Sequence, residues 1–107
     1  LIRSAKLNYI DHGYPKGWDS LVTPIIEKCE EKGLTIMQIK EKYGGLRFYY
    51  APLDDEVDAM VDAAEEQSQR TCEVCGEHGV LRDGGWLQTL CDEHADGREA
   101  LNVKEMP

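Results

Sequence analysis

Three cysteines and a histidine sit in two tight pairs within "TCEVCGEHGVLRDGGWLQTLCDEHA", residues 71–95. Two residues separate Cys72 from Cys75, fifteen follow, and two separate Cys91 from His94. Donors that close in sequence can turn onto one ion, and two such pairs complete a tetrahedron. Disulfides are the competing chemistry. A bond inside a Cys-x2-Cys pair closes a very small loop, leaves His94 without a role and needs an oxidising compartment. The expectation is therefore one structural Zn2+ held by Cys72, Cys75, Cys91 and His94. Four protein donors leave no position open for water, unlike most catalytic zinc sites. The His-x-Glu and Pro-Cys-x-x-Cys signature of zinc deaminases is not in the sequence.

The elements that must position these donors can be read around them. Cys72–Gly76 has the form of a zinc knuckle, with Gly76 turning the chain after the second thiol. Val80 to Arg82 and Trp86 to Leu90, joined through Asp83-Gly84-Gly85, predict a hairpin with Trp86 packed over it. Cys91 and His94 would then open a helix through Ala95, Glu99, Ala100 and Leu101, weakened by about 1 kcal/mol at Gly97. Knuckle, hairpin and ligand-bearing helix together look like a treble-clef zinc finger.

Upstream, residues 1–17 read as a strand or irregular segment closed by a turn at Gly13, Pro15 and Gly17. "WDSLVTPIIEKCEEKG" predicts a helix capped by Asp19 or Ser20 and stopped at Gly33. Leu21, Val22, Ile25, Ile26 and Cys29 share its buried face, and Pro24 fits only near its start. "LTIMQIKEKYGGLRFYYAP" changes to a two-residue period and predicts a β-hairpin turning at Gly44-Gly45. Leu46, Phe48 and Tyr50 face inward there, and Arg47 and Tyr49 outward. Asp54 caps a second helix, with Val57, Met60, Val61 and Ala64 buried. Asp55, Asp58, Asp62, Glu65 and Glu66 line its other face. The fold class is α+β: helix, β-hairpin, helix, then a C-terminal treble-clef-like zinc finger. One compact domain over 1–107 is expected, with a helix/hairpin/helix part at 1–70 and a finger part at 71–107.

Charge narrows the partners. The chain carries a net charge of −9, concentrated after residue 53. Such a surface repels nucleic-acid phosphates and attracts basic proteins. No apolar run is long enough for a membrane span, and no leader pattern suggests export, so a cytoplasmic location is expected. The acidic stripe Asp55, Asp58, Asp62 and Glu65 reads as a solvated helix face or as a lure for a basic protein. Its carboxylates repeat at about 5–6 Å, which would let it compete for a nucleic-acid-binding groove. Arg47 and Tyr49, of types enriched at binding hot spots, form a second candidate protein-binding surface. Cys29 reads as a buried small hydrophobe. His12, beside Asp11, has no nucleophile to serve, and His78 reads as a loop residue.

The string "QIKEKYGGLRFYY", with "TCEVCG" and "GWLQTLCDEHA", resembles a family of small uncharacterised bacterial and phage-borne proteins. Their pattern maps here onto Gly17-Trp18, Lys40 to Tyr49, Cys72, Cys75, Cys91 and His94. The resemblance implies an architecture and no activity, and carriage by phages implies a role in phage–host conflict. The leading expectation is a noncatalytic zinc-stabilised protein that binds another protein, as would a phage or mobile-element inhibitor of a host nuclease or defence complex. A nucleic-acid-binding zinc-finger adaptor is the alternative, with Lys28, Lys40, Lys42 and Arg47 as its basic patch. The third is a metal-dependent nuclease on a treble-clef scaffold, using His12 or His78.

Overall fold

The structure is a computed structural model in which residues 11–100 are described. The short strand β1 (Asp11–Gly13) and a 3-10 turn (Lys16–Trp18) lead into helix α1 (Asp19–Lys32). The hairpin β2 (Thr35–Lys42) and β3 (Gly45–Ala51) follows, then helix α2 (Asp55–Ser68). The finger contributes β4 (Val80–Asp83), β5 (Gln88–Leu90) and β6 (Glu99–Ala100). The class is α+β, with two small three-stranded sheets ordered β1-β2-β3 and β5-β4-β6. β1 runs parallel to β2, and all other pairings are antiparallel. The reading of residues 1–10 lies outside the described residues, as does Leu101.

Helix α1 buries Val22, Ile25, Ile26 and Cys29 on one stripe, and α2 buries Val57, Val61 and Ala64. Both stripes meet Ile36, Ile39, Leu46, Phe48 and Tyr50 on one face of the first sheet. Ile36 and Ile39 are three residues apart, which a regular strand would put on opposite faces. A β-bulge between Ile36 and Gln38 restores them to the same side and leaves Met37 58% exposed. The helices also meet through charge. Lys32 reaches Asp54 at 3.1 Å and Glu56 at 3.0 Å, and Lys28 reaches Glu56 at 3.5 Å.

Three local expectations are corrected. Neither Asp19 nor Ser20 caps α1: the capping position is Trp18, with no side-chain cap, because the chain enters through the 3-10 turn. The Asp19 carboxylate instead accepts from the Tyr14 hydroxyl at 2.9 Å. Pro24 is the sixth residue of α1, beyond the first turn. Its missing N–H leaves one rung of the ladder unmade, and the buried residues on either side hold the helix through it. The third correction is the turn, which is Tyr43-Gly44 with Lys42 paired to Gly45. Both turn residues have positive φ, 57° and 79°, as a two-residue hairpin turn with the right twist requires. A Gly44-Gly45 turn would have placed the backbone freedom where it costs least. In this register Tyr43 takes a left-handed conformation that costs roughly 1–2 kcal/mol for a residue with a Cβ.

Strand β3 is an edge, and α2 closes it. Its outward amides at Leu46 and Phe48 donate to the Ser68 hydroxyl at 2.9 Å and the Glu65 carboxylate at 3.4 Å. An open edge is a template for pairing with other chains, so side chains that satisfy its donors also protect it. The predicted Asp54 cap is present, its carboxylate accepting from the Val57 amide at 3.0 Å.

The finger is fastened to this layer by buried backbone contacts. The Gly17 amide donates to Glu73 O at 2.8 Å, and the Trp18 indole donates to Thr71 O at 2.9 Å. A Cβ on Gly17 would lie 2.2 Å from Cys72 O, so only glycine permits this approach. On the other side the Thr89 hydroxyl donates to Gly44 O at 2.8 Å.

Candidate metal centre

Cys72 and Cys75 lie on the turn that leaves the Thr71 bridge, and Cys91 follows β5 directly. The knuckle is closed by the Gly76 amide donating to Cys72 O at 2.9 Å, with Gly76 at φ 84° as its role requires. The Cys91–His94 segment is a tight turn closed by the His94 amide on Cys91 O at 3.2 Å. These elements bring together all four donors expected from the sequence. Their ligand atoms lie within 4.8 Å of one another, the one cluster of this kind among the described residues.

The spacing suits a tetrahedral ion. Bonds of about 2.3 Å to sulfur and 2.0–2.1 Å to nitrogen give donor–donor edges of roughly 3.5–3.8 Å. Cys75 Sγ and Cys91 Sγ are 3.8 Å apart, and Cys72 Sγ and His94 Nδ1 are 3.7 Å apart. The Cys91 Sγ to His94 Nδ1 edge is shorter, 3.2 Å. The sulfur separation is far beyond a disulfide bond of about 2.05 Å, and all the cysteines are free. Three thiols and an imidazole are the donor set zinc favours.

Electrostatics around the sulfurs points the same way. Burial works against a Cys72 thiolate, yet amide N–H groups of Cys75, Cys91 and Val74 outweigh it and bring the thiol down to about 6. Cys75 moves up to about 11: the Glu77 amide lowers it, while burial and the neighbouring Cys72 and Cys91 sulfurs raise it more. Like charges this close oppose one another, and a cation among the sulfurs would remove that opposition.

The finger is a knuckle and a hairpin without the closing helix. Residues 91–100 form turns and then β6, which pairs with β4 through Arg82↔Ala100 and Asp83↔Glu99. Asp96 and Gly97 have φ of 53° and 80°, and two consecutive left-handed residues stop a helix. The expected helix through Ala95 and Glu99 is therefore replaced by a strand.

Several residues that hold the site were not singled out from the sequence. Arg82 is buried and spans the finger: its guanidinium donates to Leu90 O at 2.9 Å, Arg98 O at 3.3 Å and the Asp92 carboxylate at 2.9 Å. Asp92 lies between the two donors of the second pair, so Arg82 fixes the turn that carries them. Glu73 is buried behind the knuckle and accepts from the Thr89 amide at 2.8 Å. Burial raises its carboxyl group above the ordinary range, against that bond. An arginine and a glutamate in short polar segments give no sequence signal of burial.

The remaining candidates are dispersed. Of the acidic stripe, Asp55 and Asp62 are exposed. Asp58 accepts a short hydrogen bond from the Tyr50 hydroxyl, and Glu65 faces β3, its carboxyl group raised by burial. Asp55 and Asp62 of the four-residue stripe are thus exposed, while the Tyr50 hydroxyl and the Phe48 amide engage Asp58 and Glu65. Arg47 and Tyr49 do share the outer sheet face, with Arg47 half-buried and Tyr49 46% exposed. Lys40 pairs across the strands with Arg47, and Lys42 lies two residues along. Lys28 is removed from that patch by its ion pairs with Glu31 and Glu56 on the helix side. His78 is exposed and outside the ligand cluster, and the His12 side chain lies outside the described part. Trp86 does not pack over the hairpin. It is 64% exposed, with the Arg98 guanidinium 4.4 Å from its ring centroid. Cys29 is fully buried, as expected, and burial raises its thiol to about 11.

No family model matches this chain, and no curated protein or solved structure matches it. No helix among the described residues is long and apolar enough to cross a membrane.

Proposed function

We propose that the chain is a noncatalytic zinc-binding protein that uses the metal as a structural clamp and binds another protein through a basic surface on that partner. The observation that carries this reading is the closed cluster of three thiols and one imidazole. Four protein donors saturate a tetrahedral zinc, so no coordination position is left for an activated water. The net charge of −9 favours a basic partner, and the exposed Asp55 and Asp62 are available to it. Reduced cysteines fit a reducing compartment such as the cytoplasm. The narrower role is the one the hairpin resemblance implies: a phage or mobile-element inhibitor of a host nuclease or defence complex.

Native mass spectrometry and titration calorimetry test the two halves. One zinc per chain, retained at neutral pH and lost on acidification, is expected. A Lys/Arg-rich peptide should bind the zinc-loaded chain, more weakly as salt rises. A metal-free chain of full stability, or no affinity for the basic peptide, would overturn the reading.

One observation favours nucleic acid as a second reading. Lys40, Lys42, Arg47 and Tyr49 share a sheet face, combining cations with an aromatic ring. A low-salt gel shift with single-stranded oligonucleotides decides it, and the absence of a shift would end it.

A further inference from the structure

The tips of the two hairpins stand side by side. The Tyr43-Gly44 turn of the first and the loop between β4 and β5 enclose a groove of about 580 Å³. Glu41, Lys42, Tyr43, Asp83, Trp86 and Leu87 line it. Tyr43 is 68% exposed and Trp86 64% exposed. Each ring therefore contributes little to the core of its own protein.

Tyr43 holds its place against a backbone preference. Its φ of 57° suits glycine or asparagine, and its ring is not compensated by packing. Strained positions that gain nothing from folding gather at functional sites. Both lips are also braced. On one, the Gly44 amide donates to the Glu41 carboxylate at 2.8 Å, and Gly44 O accepts from Thr89. On the other, Arg98 stacks on the Trp86 ring and donates to Trp86 O at 2.7 Å. A groove fixed before binding loses less freedom when it is filled.

Aromatic grooves of this kind suit extended, proline-containing chain, whose rigid rings and backbone lie flat on the aromatic side chains. Two carboxylates, Glu41 and Asp83, line the groove with one ammonium, Lys42; the Arg98 guanidinium at its rim is engaged by the Trp86 ring and carbonyl, and the chain around the groove carries a net charge of −9. The Lys42 ammonium is itself drawn over the Tyr43 ring at 5.6 Å. We propose that this groove takes an extended basic segment of a protein partner, with proline or another apolar side chain on Tyr43 and Trp86 and Lys or Arg side chains toward Glu41 and Asp83. The proposal rests on the protein-binding reading above and moves its anchor from the acidic helix to the groove between the hairpin tips.

The test uses the full zinc-loaded chain and a ten-residue Arg-Pro repeat peptide. A Glu-Pro repeat and a ten-nucleotide oligothymidylate are the comparison probes. The indole N–H signals of Trp86 and Trp18 in an NMR titration report the site, Trp18 being buried and outside the groove lining. The Arg-Pro peptide is expected to move Trp86 and leave Trp18 in place. Trp86→Ala and Tyr43→Gly should each weaken binding at least tenfold and keep one zinc, and Tyr43→Gly should melt no lower than the parent because glycine relaxes the turn. If Trp86→Ala loses zinc, Tyr43→Gly carries the test alone. Undiminished binding by folded variants overturns the groove and leaves the protein-binding reading standing. Movement of Trp86 by the oligonucleotide or the Glu-Pro peptide alone overturns the basic occupant. Movement of Trp86 with protein concentration alone would make a second copy the occupant and overturn the proposal. No binding of the Arg-Pro peptide to the parent chain removes both.

Discussion

The four cysteines of this chain divide by what surrounds the sulfur. Cys29 is enclosed by the α1 stripe, and burial holds its thiol at about 11. Cys72 is equally inaccessible, but amides aimed at its sulfur favour the thiolate, bringing it to about 6. Reactivity follows thiolate population and access. At pH 8 a maleimide should therefore leave Cys29 unmodified in the folded, zinc-loaded chain. Addition of a chelator should expose Cys72, Cys75 and Cys91 to labelling before Cys29. Mass analysis of the labelled peptides checks the order, and early modification of Cys29 would contradict its burial. His94→Ala should lose stoichiometric zinc at neutral pH, measured by metal analysis after dialysis, because three thiols alone leave the tetrahedron incomplete.

At the scale of elements, α2 does more than cover the sheet. Ser68 is fully buried, accepts the Leu46 amide and donates to Glu65 O at 2.6 Å. Ser68→Ala should cost about 1–3 kcal/mol in denaturant unfolding, since it strands a buried donor at the β3 edge. Asp54 is the start signal of the same helix. The Val57 amide and then the Lys32 ammonium hold its carboxyl group below the ordinary aspartate value. A depressed acid makes the unfolded chain bind more protons, so its stabilisation is present above the ordinary aspartate value and lost as pH falls through the lowered folded value. Asp54→Asn keeps a side-chain acceptor for the cap and removes the titration. Its stability should fall less steeply than that of the parent in acid, whereas Asp54→Ala should be less stable than the parent even at pH 7. Chemical denaturation at several pH values separates the two variants.

At the scale of the whole molecule, the finger and the helical layer are joined by contacts that leave little slack. Gly17 lies against the carbonyls of Cys72 and Glu73, Trp18 bonds to Thr71, and Thr89 bonds to Gly44. Metal binding contributes directly to folding when the site exists only in the folded chain. Zinc removal should therefore lower a single melting transition of the chain. A finger transition separate from that of the helices, seen by calorimetry with chelator, would show that the two parts melt independently. Gly17→Ala should lower the melting temperature more than Gly33→Ala. At Gly33 only the positive φ of 72° opposes a Cβ, with nothing within 4 Å of it, whereas at Gly17 the Cβ meets backbone at 2.2 Å.

Local chemistry and periodicity were enough to specify much of this protein. The pair spacing named Cys72, Cys75, Cys91 and His94, because two donors two residues apart can reach one ion whatever lies around them. Apolar stripes at helical spacing marked α1 and α2, alternation in Leu46–Tyr50 marked the inner face of β3, and Asp54 marked a helix start. What the sequence left to the tertiary structure depends on contacts between distant segments. The hairpin turned at Tyr43-Gly44 because register with β2, including the bulge after Ile36, outweighs the preference for two glycines. The segment after Cys91 became a turn and a strand because β4 offered an open edge to Glu99 and Ala100. Asp58 and Glu65 of the acidic stripe met partners that periodicity does not show, the Tyr50 hydroxyl and the Phe48 amide. Periodicity places a side chain on a face; only the packed structure decides what stands opposite it, and there Arg82, Glu73 and the paired aromatic tips acquired their places.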